Sequence, residues 1–169
     1  MEKLFQLLQK SGDSKKYLWL LNRIINHTVR FNKPHGFQVI KIASDYVQTF
    51  APYHKKNFNH IRGIHACAIA TIGELAAGLL LMKDFSPKEY RIIMSSLHVD
   101  YQYQAKKDIV ATATLTGDEK ESIVQRLKTT PKTTQIITSE IKDCDQQIVA
   151  IMQTTWQIKS WGDVQTKVK

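Results

Sequence analysis

Apolar residues recur at helical spacing through the first thirty positions, and then the period changes. Residues 2–9 and 15–27 read as two short helices separated by Ser11-Gly12-Asp13, with Leu18, Leu21, Ile24 and Ile25 along one side of the second. Asn32-Lys33-Pro34-His35-Gly36 is a turn by composition. Phe37 to Val47 alternates and is rich in β-formers, which predicts one strand. Ala51 to Gly63 is polar and basic, a loop. Ile64 to Met82 is apolar on nearly every side and predicts one long helix, stopped by Asp84-Phe85-Ser86-Pro87. Beyond it the period falls to two. Tyr90–Tyr103, Asp108–Leu115, Thr133–Lys142 and Gln147–Lys159 read as strands. Ile109, Ala111, Ala113 and Leu115 share one face of the second. Thr116 to Glu119 reads as a turn, and Ser122 to Leu127 suits a short helix or a strand equally.

Consecutive strands joined by short turns make an antiparallel sheet. A helix that is apolar almost all round must be covered on several sides. The pattern therefore predicts an α+β fold: a curved antiparallel sheet of about five to six strands wrapped around one central helix, residues 64–82, with N-terminal helices in 1–30. No repeat or boundary divides residues 1–169, which read as a single domain. An open sheet leaves an edge to be covered, so self-association as a homodimer or a dimer of dimers is expected.

Composition narrows the class of partner. The net charge of +9 favours an anionic one. The cations come in scattered pairs such as Lys15-Lys16, Lys55-Lys56 and Lys106-Lys107, with no basic block or aromatic–basic motif for nucleic acid. Two cysteines, Cys67 and Cys144, suit a reducing compartment, and a cytoplasmic location is expected. Met1 to Gly12 lacks the apolar run of a signal peptide. The stretch 64–82 has the length of a membrane span, but it carries Glu74 and many alanines, so a buried core helix is the expectation. His54, His60 and His65 lack metal-site spacing and the cysteines form no CxxC, so no metal is expected.

Within 64–82 the ionisable side chains are His65, Cys67 and Glu74. A carboxylate on such a helix is costly to bury unless it is paired or used. Its neighbours at three and four residues, Ala70, Thr71, Ala77 and Gly78, are small and leave room for a ligand or a partner backbone. Chemistry at Glu74, or pairing with a lysine or arginine, both satisfy the pattern.

The run Asn59…Gly63-Ile64-His65-Ala66…Glu74 resembles the hotdog-fold acyl-CoA thioesterases of the phenylacetate-degradation type. These carry an asparagine, a glycine and a histidine at the start of a central helix and an acid further along it. Ala66 and Cys67 stand where many relatives have glycines, as in a less characterised His-Ala subset of the superfamily. The resemblance implies hydrolysis of acyl-CoA thioesters, with coenzyme A entering as part of the substrate and no separate cofactor. It implies a site at a dimer interface built from Glu74 of one subunit and the loop of the other. Helical geometry agrees: His65 and Glu74, nine residues apart, lie about 180° apart around the axis and about 13.5 Å apart along it.

On this reading Glu74 is general base or nucleophile. The Ala66 N–H stabilises the oxyanion from the helix N-terminus, and His65 and Asn59 orient the loop or the water. His65 as a plain helix-start residue fits as well. Gly63, Thr71 and Gly78 are expected to line the substrate, and Lys55, Lys56, Arg62, Lys106 and Lys107 to meet the phosphates of coenzyme A. The alternative is a non-catalytic acyl-binding hotdog protein. Dehydration of hydroxyacyl thioesters ranks behind both.

Overall fold

The computed structural model describes residues 2–12 and 14–164. Helices α1 (Glu2–Ser11) and α2 (Lys15–Thr28) bury Leu7, Leu8, Leu21 and Ile25 against the rest of the molecule. The expected break between them falls at Gly12, and Asp13 lies outside the described residues. Strands β1 (Gln38–Ile42) and β2 (Tyr46–Ala51) form a hairpin. The single strand expected over 37–47 is therefore two. The chain reverses at Ala43-Ser44-Asp45, where the Ala43 N–H donates to the Tyr46 carbonyl at 2.9 Å. Val39, Ile42, Val47 and Thr49 are buried, and a bulge between Val39 and Lys41 shifts the phase before the turn, so the reversal leaves no gap in the apolar pattern.

Helix α3 (Ala66–Asp84) is the predicted central helix, shifted two residues. It is long and apolar enough to cross a membrane by length and composition. Here it packs against β2, β4 (Ile109–Thr114), β5 (Lys132–Asp143), β6 (Ile148–Ser160) and β3 (Tyr90–Tyr101). Ile69, Ile72, Ala76, Ala77, Leu79, Leu80 and Leu81 are buried. Gly73 allows the sheet to approach closely: a Cβ there would lie 2.5 Å from Met152 Cε on β6.

The sheet is six-stranded and antiparallel throughout, in the order β1-β2-β4-β5-β6-β3. The strands after the central helix are thus not simple neighbours in sequence. After β3 the chain crosses to β4 in the middle of the sheet, and β3 pairs with β6 at the margin. A helix, α4 (Gly117–Thr129), separates β4 from β5. It corrects both the turn expected at 116–119 and the open reading of 122–127. The Thr116 hydroxyl accepts the Glu119 N–H at 3.3 Å, and the Glu119 carboxylate accepts the Thr116 N–H at 2.7 Å. This reciprocal cap starts the helix, and Ile123 fixes it to the core. The whole is the hotdog arrangement, a curved antiparallel sheet around a central helix.

The two margins of the sheet differ. At β1, Asn22 of α2 takes both backbone groups of Val39: its Oδ1 accepts the Val39 N–H at 2.7 Å and its Nδ2 donates to the Val39 carbonyl at 2.8 Å. At the other margin β3 runs for 12 residues with no strand beyond it among the described residues.

Candidate active site

The loop before α3 is held by its own backbone. The Asn59 Oδ1 accepts the N–H groups of Ile61 at 3.1 Å and Gly63 at 2.9 Å, so this side chain shapes the turn. Arg62 takes a left-handed φ of 59°, uncommon for a residue with a Cβ. Buried Asn57 anchors the loop below: its carbonyl accepts the His65 N–H at 2.7 Å, and its side chain reaches the carbonyls of His35 and Pro52. Gly63 lies against the segment before β4. A Cβ there would come within 2.8 Å of Gln104 Cγ and 3.3 Å of the Ala105 carbonyl, so the close approach requires glycine.

His65 caps α3. Its Nδ1 accepts the Cys67 N–H at 3.1 Å and its ring is exposed. The next N–H, that of exposed Ala66, makes no hydrogen bond among the described residues. It remains an open donor at the positive end of a 19-residue helix. The hydroxyl of Tyr101, on β3, donates to the Ala66 carbonyl at 3.0 Å. Burial first, and the nearby Cys67 second, push the Tyr101 phenol above its ordinary value. Asn59, Ala66, Tyr101 and Tyr103 share a shallow cavity of about 330 Å³. The tyrosines escaped the sequence reading because their position depends on the register of β3 against β6, a pairing between distant segments.

Glu74 stands apart from this cavity. One strip of α3 is left open by the sheet: Cys67, Thr71, Glu74, Gly78 and Met82, each three or four residues from the last, with Ala70 and Leu75 partly exposed beside it. Glu74 is half-buried on it and has no hydrogen bond or ion pair among the described residues. Burial alone raises its carboxyl above the ordinary carboxylate range. The pairing with lysine or arginine that the sequence left open is not present. Its Oε1 lies 3.8 Å from where a Gly78 Cβ would be, and the Trp156 ring closes on the same point at 3.1 Å. Trp156 pairs in register with Met94 of β3, so the carboxylate sits over the β6–β3 margin. Thr71 directs its hydroxyl inward along the helix, to the Cys67 carbonyl at 2.7 Å.

The structure thus groups Asn59, Gly63, His65 and Ala66 at one end of α3 and Thr71, Glu74 and Gly78 along its open strip. Of the expected phosphate contacts, Lys55, Lys56, Arg62 and Lys106 are exposed, while Lys107 pairs with Asp145. Lys106 and Lys107 border a separate surface cavity with Tyr103 and Asp143. No group of three metal-ligating side chains occurs among the described residues.

Three solved structures share this framework. A protein from Pseudomonas aeruginosa described as "of unknown function" and a "probable thioesterase" superposes with a TM-score of 0.77 at 22% identity, over 83% of this chain and 94% of its own. A thioesterase from Haemophilus influenzae gives 0.70 at 10% identity, over 88% and 94%. A thioesterase enzyme from Staphylococcus aureus gives 0.64 at 18%, over 77% and 98%. No curated protein matches the sequence. Residues 18–158 match the model of a domain of unknown function, DUF4442. With that match spanning most of the chain, the protein belongs to the DUF4442 family, and it shares the hotdog fold of these structures.

Proposed function

We propose that this protein hydrolyses acyl-CoA thioesters as a homodimer, with Glu74 as the reacting carboxylate. The observation that carries the reading is Glu74 itself: a half-buried carboxylate, without a partner among the described residues, on the one open strip of the core helix. Holding it desolvated costs stability, and a use in chemistry explains the cost. The names of the structural neighbours support thioester hydrolysis. So does a spacing: the Staphylococcus aureus protein was solved as variants changing a glutamine and a glutamate fifteen positions apart, the interval between Asn59 and Glu74 here.

In the proposed dimer the β3 strands of two copies pair, which brings the open strip of one α3 toward the loop 59–66 of the other. The Ala66 N–H of one subunit then receives the thioester carbonyl oxygen. Glu74 of the other either takes a proton from water attacking the carbonyl carbon, or attacks that carbon itself to give an anhydride that water cleaves. Either course breaks the C–S bond, and the thiolate leaves as coenzyme A. Exposed Arg62 and Lys106 are the cations we assign to its phosphates.

The test is thiol release from short, medium, long and aromatic acyl-CoAs, with Glu74→Gln beside the wild type. Hydrolysis that falls about 10²–10⁴-fold in the variant supports the assignment. Tight acyl-CoA binding without turnover by the wild type replaces it with an acyl-binding role.

A further inference from the structure

At the margin opposite β3, residues 14–44 contain six lysines and arginines and no acidic residue. The same segment exposes large apolar side chains: Trp19 and Phe31 at 59% each, with Tyr17, Leu20, Val29 and Ile40. On α2 these interleave. Lys16, Trp19, Leu20, Arg23 and His27 are all exposed and recur at three- and four-residue steps, so they form one outward stripe. The Arg23 guanidinium lies over the Trp19 ring, 5.1 Å from its centroid. Beside the stripe, between α2 and β1, runs a groove of about 790 Å³ with Leu18, Val39 and Ile40 on its walls and Lys15, Arg23 and Lys33 on its rim.

We infer that this face docks on the surface of an anionic phospholipid bilayer. Charge selects the occupant. Lys15, Lys16, Arg23 and Lys33 along the stripe and groove, with no acid in the segment, attract a surface of lipid phosphates, with partitioning that grows for each Lys or Arg brought near it. The apolar members select between polyanions. Leu20, Val29 and Phe31 gain nothing from a phosphodiester backbone in water, but they can enter the boundary between headgroups and acyl chains. Trp19 suits that boundary through its apolar body and polar N–H, and the long lysine and arginine stems let their charges stay with the headgroups. The face lies at the β1 end of the sheet, so pairing through β3 leaves it uncovered. This inference stands on residues that the proposed hydrolysis does not use.

The experiment is flotation of the full chain with vesicles of phosphatidylcholine, alone or mixed with phosphatidylglycerol, at low and at near-physiological salt. Binding to the mixed vesicles only, weakened by salt and accompanied by a blue shift of tryptophan emission, is expected. Lys16→Gln/Arg23→Gln should lower partitioning roughly tenfold or more, and Trp19→Ala should remove the blue shift. All three positions are exposed, so the variants should keep the wild-type circular dichroism and hydrolysis of soluble substrate. Four results overturn the inference: no flotation with anionic vesicles at low salt, equal binding to phosphatidylcholine alone, binding unchanged in both variants, or retention on nucleic acid with vesicles ignored. Concentration-dependent self-association abolished by Trp19→Ala would assign the face to a second copy instead.

Discussion

Glu74 and Gly78 form a pair whose chemistry can be tuned from the glycine side. The folded state raises the Glu74 pKa by burial, so folding disfavours the ionised form relative to the neutral one. Stability from this group is fully present below the unfolded-state pKa and is lost as pH rises through the folded-state value. Glu74→Gln should therefore melt no lower than the wild type at neutral pH, with the difference vanishing in acid; a large drop in Tm would mark a structural role. Activity runs the other way, because base and nucleophile both need the ionised form. Its acid limb should lie above the ordinary carboxylate range. Gly78→Ala adds a methyl 3.8 Å from Oε1 and 3.1 Å from Trp156, removing more water from the carboxylate. The acid limb of kcat should then move to higher pH, and an unmoved limb would show that another group sets it. Glu74 was legible because one acid interrupts an apolar run. The use of the Asn59 carbonyl in its own turn and the reach of Tyr101 to Ala66 were not, since each depends on where the backbone goes and not on residue type.

Among the elements, α3 was readable nearly to its ends because its composition excludes everything but a covered helix. Helix α4, left open between helix and strand over 122–127 and read as a turn at its start, was obscure for the opposite reason. Only Ile123 of its 13 residues is buried, so there is almost no apolar stripe to detect. The signal present was the cap, Thr116 and Glu119 three apart, which a reading attentive only to turn formers assigns to a turn. Thr116→Ala should lower stability by about 1 kcal/mol, measured by denaturant titration. It should leave turnover unchanged, since the main packing of α4 is against β5. The β1–β2 reversal was hidden because Ala43-Ser44-Asp45 contains neither Gly nor Asn.

For the whole molecule, β3 carries the information that sequence order could not give. Met94, Leu97, Val99 and Tyr101 pair with Trp156, Thr154, Met152 and Ala150, whose side chains are buried on the α3 side, so these β3 residues face the same side. The bulge between Met94 and Ser96 keeps that phase. Leu97 and Tyr101 nevertheless remain exposed, an apolar lip beyond the central helix. If copies pair here, Leu97→Lys should convert dimers to monomers by light scattering and abolish hydrolysis together, with the fold intact by circular dichroism. A wild type that is active as a monomer would separate catalysis from assembly.

The bond pair between Asn22 and Val39 bears on how large any such assembly can grow. The Asn22 amide turns one N–H and its oxygen to Val39 in the geometry of a peptide group and its other N–H to the Leu18 carbonyl, so at Val39 it occupies the place of a seventh strand and then ends. Among the described residues, strand addition then has one open margin, that of β3. If copies join through β3, growth by that route stops at two, because each would present its capped β1 side outward. A ribbon of many chains would need that amide displaced first.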